Sequence, residues 1–105
     1  EYAYLARARL RNARLAKADL EYADFSQAAL AGADLTRTDL VAVDFHQADL
    51  RGARLDGAYL NYANLKEANL EGASMQRVRL NGARLAGAVW TDGRICRIPS
   101  VGRCE

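Results

Sequence analysis

The chain has one proline, one histidine, two cysteines and no leucine outside a single register. Pro99 lies near the end, so until then every backbone N–H is available to feed hydrogen-bonded ladders. His46 stands alone, and no serine or cysteine is placed to form a nucleophilic triad with it. Its plain reading is a solvated outward residue. The two cysteines, Cys96 and Cys104, are too few for a metal site. No hydrophobic run approaches a membrane span. No glycine-rich phosphate loop, zinc spacing or nucleophile elbow occurs. Fifteen basic residues nearly balance thirteen acidic ones, for a formal net charge of +2, which calls for no polyanionic partner. The sequence thus points to no enzyme, no cofactor, no metal and no small-molecule substrate.

What the chain does have is a large apolar residue at every fifth position: Leu5, Leu10, Leu15, Leu20, Phe25, Leu30, Leu35, Leu40, Phe45, Leu50, Leu55, Leu60, Leu65, Leu70, Met75, Leu80 and Leu85. Two residues before each stands a small residue, alanine except at Thr38, Val43 and Val78. In an α-helix a step of five advances about 500°, or about 140° beyond a full turn, so these residues would form no stripe. In a flat strand an odd step sends successive members to opposite faces. Within one repeat, however, the small and the central residue obey the strand period and point the same way. If the chain turns a corner every five residues in one sense, every such pair points inward. The outcome is a solenoid of short extended segments round an apolar column, its coils stacked at about 4.8 Å.

The corners fit this reading. Gly32, Gly52, Gly57, Gly72, Gly82 and Gly87 all sit two places after a central residue, where a tight turn asks for positive φ. Asn12 at the same phase is the next-best residue for that conformation.

The recurring Ala-(Asp/Asn)-Leu, seen in Ala18-Asp19-Leu20, Ala33-Asp34-Leu35, Ala48-Asp49-Leu50, Ala63-Asn64-Leu65 and Ala68-Asn69-Leu70, resembles the pentapeptide-repeat family. The resemblance implies an all-β fold, a right-handed quadrilateral β-helix with twenty residues per coil and about four and a half coils. On that reading residues 1–89 form the β-helix and 90–105 a C-terminal cap. Residues twenty apart then stack, which pairs Phe25 with Phe45 and Tyr2 with Tyr22. It also makes a ladder of Arg14, Asp34 and Arg54, sets Arg51 over Glu71, and brings the like charges Asp19/Asp39 and Asp24/Asp44 together.

After Leu85 the pattern dissolves. Trp90 takes the central phase and is expected to close the column as a lid, with Ile95 a candidate for one further central position. Cys96 and Cys104 read as a disulfide pinning that lid, in preference to two free thiols. A bonded pair implies an oxidising compartment, and the tail resembles those of bacterial repeat proteins exported to the periplasm. The chain opens on Glu1 in mid-pattern, which suggests a mature or trimmed product. An extracytoplasmic, periplasmic location is therefore expected, with the cytoplasm the alternative if the thiols are free.

Outward positions carry mixed charge. Asp19, Asp24, Asp34, Asp39, Asp44 and Asp49 share the phase just before the central residue, which Arg9, Arg14, Arg54, Arg79 and Arg84 occupy elsewhere. That interchange favours a solvated belt over paired catalytic carboxylates. The wall of residues 13–17, 33–37, 53–57 and 73–77 is the most basic, with Arg14, Lys17, Arg37, Arg54 and Arg77. Tyr2, Tyr22 and Tyr62 share a corner phase beside an acidic wall, which suits protein contact better than base stacking.

The expected role is a non-enzymatic structural or protein-binding scaffold, as a monomer or an end-to-end oligomer. Nucleic acid is disfavoured as a partner. By resemblance, some family members mimic a B-form DNA rod and bind type II topoisomerases, conferring quinolone resistance. The short rod and slightly positive charge speak against that task here.

Overall fold

The structure is a computed structural model, and it describes residues 2–105. Parallel bridges join each outward residue that precedes a central one to its counterpart twenty positions on, from Tyr4 with Asp24 to Asn69 with Val89. Twenty residues therefore make one coil, and four five-residue repeats make its four walls. Each side contributes only a single bridged residue, because a turn begins two positions later. The expected extended segments are so short that no continuous strand forms among the described residues.

Three sets of backbone hydrogen bonds hold the coils. The central N–H donates to the next coil, as Leu5 does to the Asp24 carbonyl at 2.7 Å, and so does the second corner residue, as Arg7 does to Ser26 at 2.8 Å. The residue before the centre donates back to the previous coil, as Asp24 does to Ala3 at 3.0 Å. Each corner is closed within the repeat, as where the Ala8 N–H donates to the Leu5 carbonyl at 3.0 Å. With positive φ only at its third residue, this is a type II turn.

Positive φ is not confined to the glycines and Asn12. It recurs in every repeat, on residues as ordinary as Arg7 (61°), Lys17 (64°), Ala42 (58°) and Glu67 (61°). Each such residue costs about 1 kcal/mol relative to its usual conformation. The ladder bond from the same N–H and the turn bond beside it over-determine the geometry and hold it. Glycine has a further use at Gly82, where a Cβ would lie 2.5 Å from the Tyr62 ring one coil above.

The inward residues form one column. From Ala23 to Leu70 every central and every small residue is buried, and Phe25 stacks on Phe45 with ring centroids 5.4 Å apart. Thr38 is accommodated there because its hydroxyl donates to the Leu35 carbonyl at 2.7 Å. Leu5, Leu10, Leu15 and Leu20 in the first coil, and Met75, Val78 and Leu80 in the last, are only partly buried.

The tail does not continue the helix. After Trp90 the chain turns at Gly93 and reverses, pairing Val89 with Ile95 and then Arg84 with Val101 in antiparallel bridges. Ile95 therefore points outward, 67% exposed, and takes no central position. Trp90 packs against the core, Cys96 and Cys104 are buried, and the two are bonded with S–S 2.05 Å.

Candidate interaction surfaces

The ladders leave one backbone donor per repeat without a ladder partner, the N–H of the first corner residue. Where Asp or Asn precedes the central residue, Asp19 apart, its side chain fills that need. Asp24 accepts from the Ser26 N–H at 2.9 Å and hydroxyl at 2.7 Å, Asp44 from the His46 N–H at 2.9 Å, and Asn64 from the Lys66 N–H at 3.1 Å. Asp34, Asp39, Asp49 and Asn69 do the same for Thr36, Val41, Arg51 and Glu71. The acidic belt is thus a series of Asx turns. Sequence reading found its regularity and missed this role. The available signal was the choice of Asp or Asn two residues before a corner.

These bonds also reset the charges. The Thr36 hydroxyl and N–H hold the Asp34 carboxyl below its ordinary range, with Arg54 adding to the effect. Arg51 does the same for Asp49, across an ion pair of 2.7 Å. Arg51 thus turns to Asp49 in its own repeat and makes no ion pair with Glu71, although the register stacks the two. We expect Asp24→Asn to stay within a few tenths of a kcal/mol of the parent and Asp24→Ala to lose about 1 kcal/mol, read from urea midpoints. Equal loss in both would mean the carboxylate charge, not the Asx bond, matters.

The four walls differ. On the first, the corner side chains form a rung running down the molecule. Arg7 donates to Gln27 at 2.8 Å, Gln27 to Gln47 at 2.9 Å and Gln47 to Glu67 at 2.8 Å. The same wall holds a shallow polar hollow of about 530 Å³ lined by Tyr4, Arg7, Asp24, Gln27, Asp44 and His46. His46 sits half-exposed, with Nε2 3.5 Å from Glu67. The second wall has Gly32, Gly52 and Gly72 along its corner, with room for a Cβ at Gly52. The third carries the basic residues named above, with Asp56 accepting from the Gln76 N–H at 2.8 Å and the Ser74 hydroxyl at 3.1 Å.

The fourth wall is acidic at its start and basic at its end. Oxygens of Asp19, Glu21 and Asp39 lie within 4.8 Å of one another. Asp39 first and Asp19 next hold the Glu21 carboxyl above its ordinary value. A carboxyl raised in the folded state binds its proton more tightly there. Its repulsion is therefore absent at low pH and destabilises as pH rises through the interval between the ordinary and the raised value. Glu21→Gln should raise the melting temperature at pH 7 and leave it unchanged at pH 3; a parallel gain at both would place the cause elsewhere. Tyr2 and Tyr22 pack at 5.2 Å between centroids, whereas Tyr62 is separated from them by Ala42 and stays 67% exposed. Further down, the Arg79 guanidinium sits 5.1 Å over the Tyr59 ring.

A twenty-residue coil with a five-residue register defines the class, a quadrilateral repeat solenoid. The family model for pentapeptide repeats matches in 8 copies, over residues 1–28, 18–57 and 53–92. The chain belongs to the pentapeptide-repeat family. Among solved structures, a pentapeptide-repeat protein of the Arabidopsis thaliana thylakoid lumen is 31% identical, with TM-score 0.68 over 86% of this chain and 66% of its own. A pentapeptide-repeat protein from Nostoc is 46% identical, with TM-score 0.66 over 79% of this chain and 64% of its own. QnrB1, a plasmid-mediated fluoroquinolone resistance protein, is 26% identical, with TM-score 0.56 over 81% of this chain and 46% of its own. The chain spans less than two thirds of the length of each. No curated protein matches it. Among the described residues, no helix is long and apolar enough to cross a membrane.

Proposed function

We propose that this chain is a non-enzymatic scaffold that presents rigid walls to a protein partner. The observation that carries the reading is the rung from Arg7 through Gln27 and Gln47 to Glu67. Long polar side chains that would otherwise move freely are held in rank at the coil spacing. A partner docking on such a wall loses less side-chain entropy than on an ordinary surface. The coils wind to the right, about four and a half of them, over residues 1–89, with 90–105 as the cap. The buried disulfide favours an oxidising compartment outside the cytosol, which the bacterial periplasm supplies and which the lumenal origin of one similar structure suits.

Site-specific photo-crosslinking in the native compartment tests this, from Gln47, Ala31, Thr36 and Asn61, one on each wall. One protein adduct formed from one or two adjacent walls is expected. Equal labelling from all four, or a turnover that disappears with surface substitutions, would displace the reading.

A second reading is modulation of a type II topoisomerase, favoured by the likeness to QnrB1 and by the stacked Asp24 and Asp44. Against it, these carboxylates turn onto their own backbone and the net charge is +2. Unchanged gyrase supercoiling and no quinolone protection at micromolar protein would end it.

A further inference from the structure

The reversed tail covers only half of the last coil. Its residues satisfy the walls that carry 83–90. Leu85 N–H donates to Ser100, Gly87 N–H to Cys96, Cys96 N–H to Ala88 and Gly102 N–H to Ala83, all between 2.8 and 3.0 Å. The other two walls end bare. Among the described residues, the N–H groups of Met75, Arg77, Leu80 and Gly82 and the carbonyls of Ala73 and Val78 find no hydrogen-bond partner. These are the groups that the register elsewhere pairs with a next coil. Above this edge, Met75, Val78 and Leu80 are only partly buried, so the apolar column is open on the same side.

We propose that the edge from Ala73 to Gly82 is a docking site for a protein partner's extended acidic segment, which adds to the last coil as a strand. The proposal rests on the scaffold reading and gives it a surface and a partner chemistry. Strand addition supplies backbone hydrogen bonds along an unpaired edge and pockets for alternate side chains. The corner at Arg77 bends the edge, so the segment turns with it and carries a glycine there. Its inward residues are small then large, in the order this chain uses, to fill the gap beneath Met75 and Leu80. Its outward residues are acidic, because the end is basic. From Ala73 to Thr91 there are three arginines and no acidic residue, and the remaining tail adds Arg94, Arg97 and Arg103 against Asp92 and Glu105. That charge also disfavours a second copy meeting this end through its own like-charged edge.

The probe is the acetylated and amidated peptide Ala-Asp-Leu-Glu-Gly-Ala-Asp-Leu, titrated into the intact oxidised protein and followed by amide NMR. Expected are shifts confined to residues 73–82 and exchange of the Met75 and Leu80 amides slowed about tenfold or more. A peptide with lysine at each acidic position should bind about tenfold more weakly, as should the acidic peptide to Arg77→Glu/Arg79→Glu, whose changes are on the surface. No shift at about 1 mM peptide, or shifts on the other walls, would overturn the proposal. So would protection of the same amides by raising protein concentration alone, which would assign the edge to a second copy. If the walls give their adduct while the peptide fails to bind the parent protein, the scaffold reading stands and the edge proposal falls. If the peptide binds and no wall gives an adduct, the reverse holds.

Discussion

Leu40→Arg should leave the chain unfolded at room temperature, whereas Asp49→Ala should melt within a few degrees of the parent. Leu40 is fully buried, in the column between Leu20 and Leu60, and its N–H holds the next coil through the Tyr59 carbonyl at 2.8 Å. A guanidinium there enters a column of apolar side chains in which the one buried hydroxyl, on Thr38, already donates to the Leu35 carbonyl, and no buried carboxylate is there to pair it. Burial of such a charge costs several kcal/mol, a large share of the total stability of a small domain. The architecture magnifies the loss. Each coil contacts only its neighbours, so a coil that opens in the middle separates the chain into two short halves, neither with enough stacked coils to persist. Asp49 gives the contrast. Its carboxylate lies on the surface, pairs with Arg51 and caps one N–H, which together account for about 1 kcal/mol. Circular dichroism melts of the two variants decide the matter, and equal melting temperatures would overturn the inward assignment of the central residues.

The inward column was legible because the period itself carries it. Only a chain that turns every five residues keeps Leu30, Leu35 and Leu40 together, and no tertiary information is needed to see it. The number of walls was not legible from the period, which fits any regular polygon. It came from resemblance, and the bridge between Asp24 and Asp44 fixes it. The positions of the outward residues were legible, but not their bonding where local chemistry competes with stacking. Asp34 was placed in a ladder with Arg14 and Arg54, and the register does put them side by side. Its carboxylate nevertheless bonds Thr36, because an Asx bond is intramolecular at short range and an exposed ion pair between long side chains is weak. The disulfide of the tail was legible, but the path of the tail was not, for a different reason. Ile95 falls five residues after Trp90, in perfect phase, yet the turn at Gly93 sends the chain backward. A reversal of direction leaves the spacing of residues untouched, so periodicity is blind to it.

Reduction of the Cys96–Cys104 bond, or the double change Cys96→Ser/Cys104→Ser, should lower stability by about 2.5 kcal/mol, the chain-entropy value for so short a loop. The loss should begin locally. The bond spans 8 positions and joins the segment paired with Ala88 to the chain end, where Glu105 accepts from the Arg97 N–H at 2.7 Å and donates to the Ser100 hydroxyl at 3.0 Å. Without it only hydrogen bonds such as these and that from the Gly102 N–H to Ala83 hold the chain end beneath the column. In a quasi-one-dimensional fold the end coil then frays before the centre opens. Amide exchange should therefore quicken at Leu85, Gly87 and Gly102 well before it does at Leu40 or Phe45. Trp90, the only tryptophan, gives an independent signal, since opening the lid brings its ring into water and shifts its emission to the red. A uniform rise in exchange along the whole chain would show that the solenoid opens as one unit, and an unchanged denaturant midpoint would show that packing of the tail suffices without the bond. Either result would remove the cap from its place as the element that sets the stability of the C-terminal end.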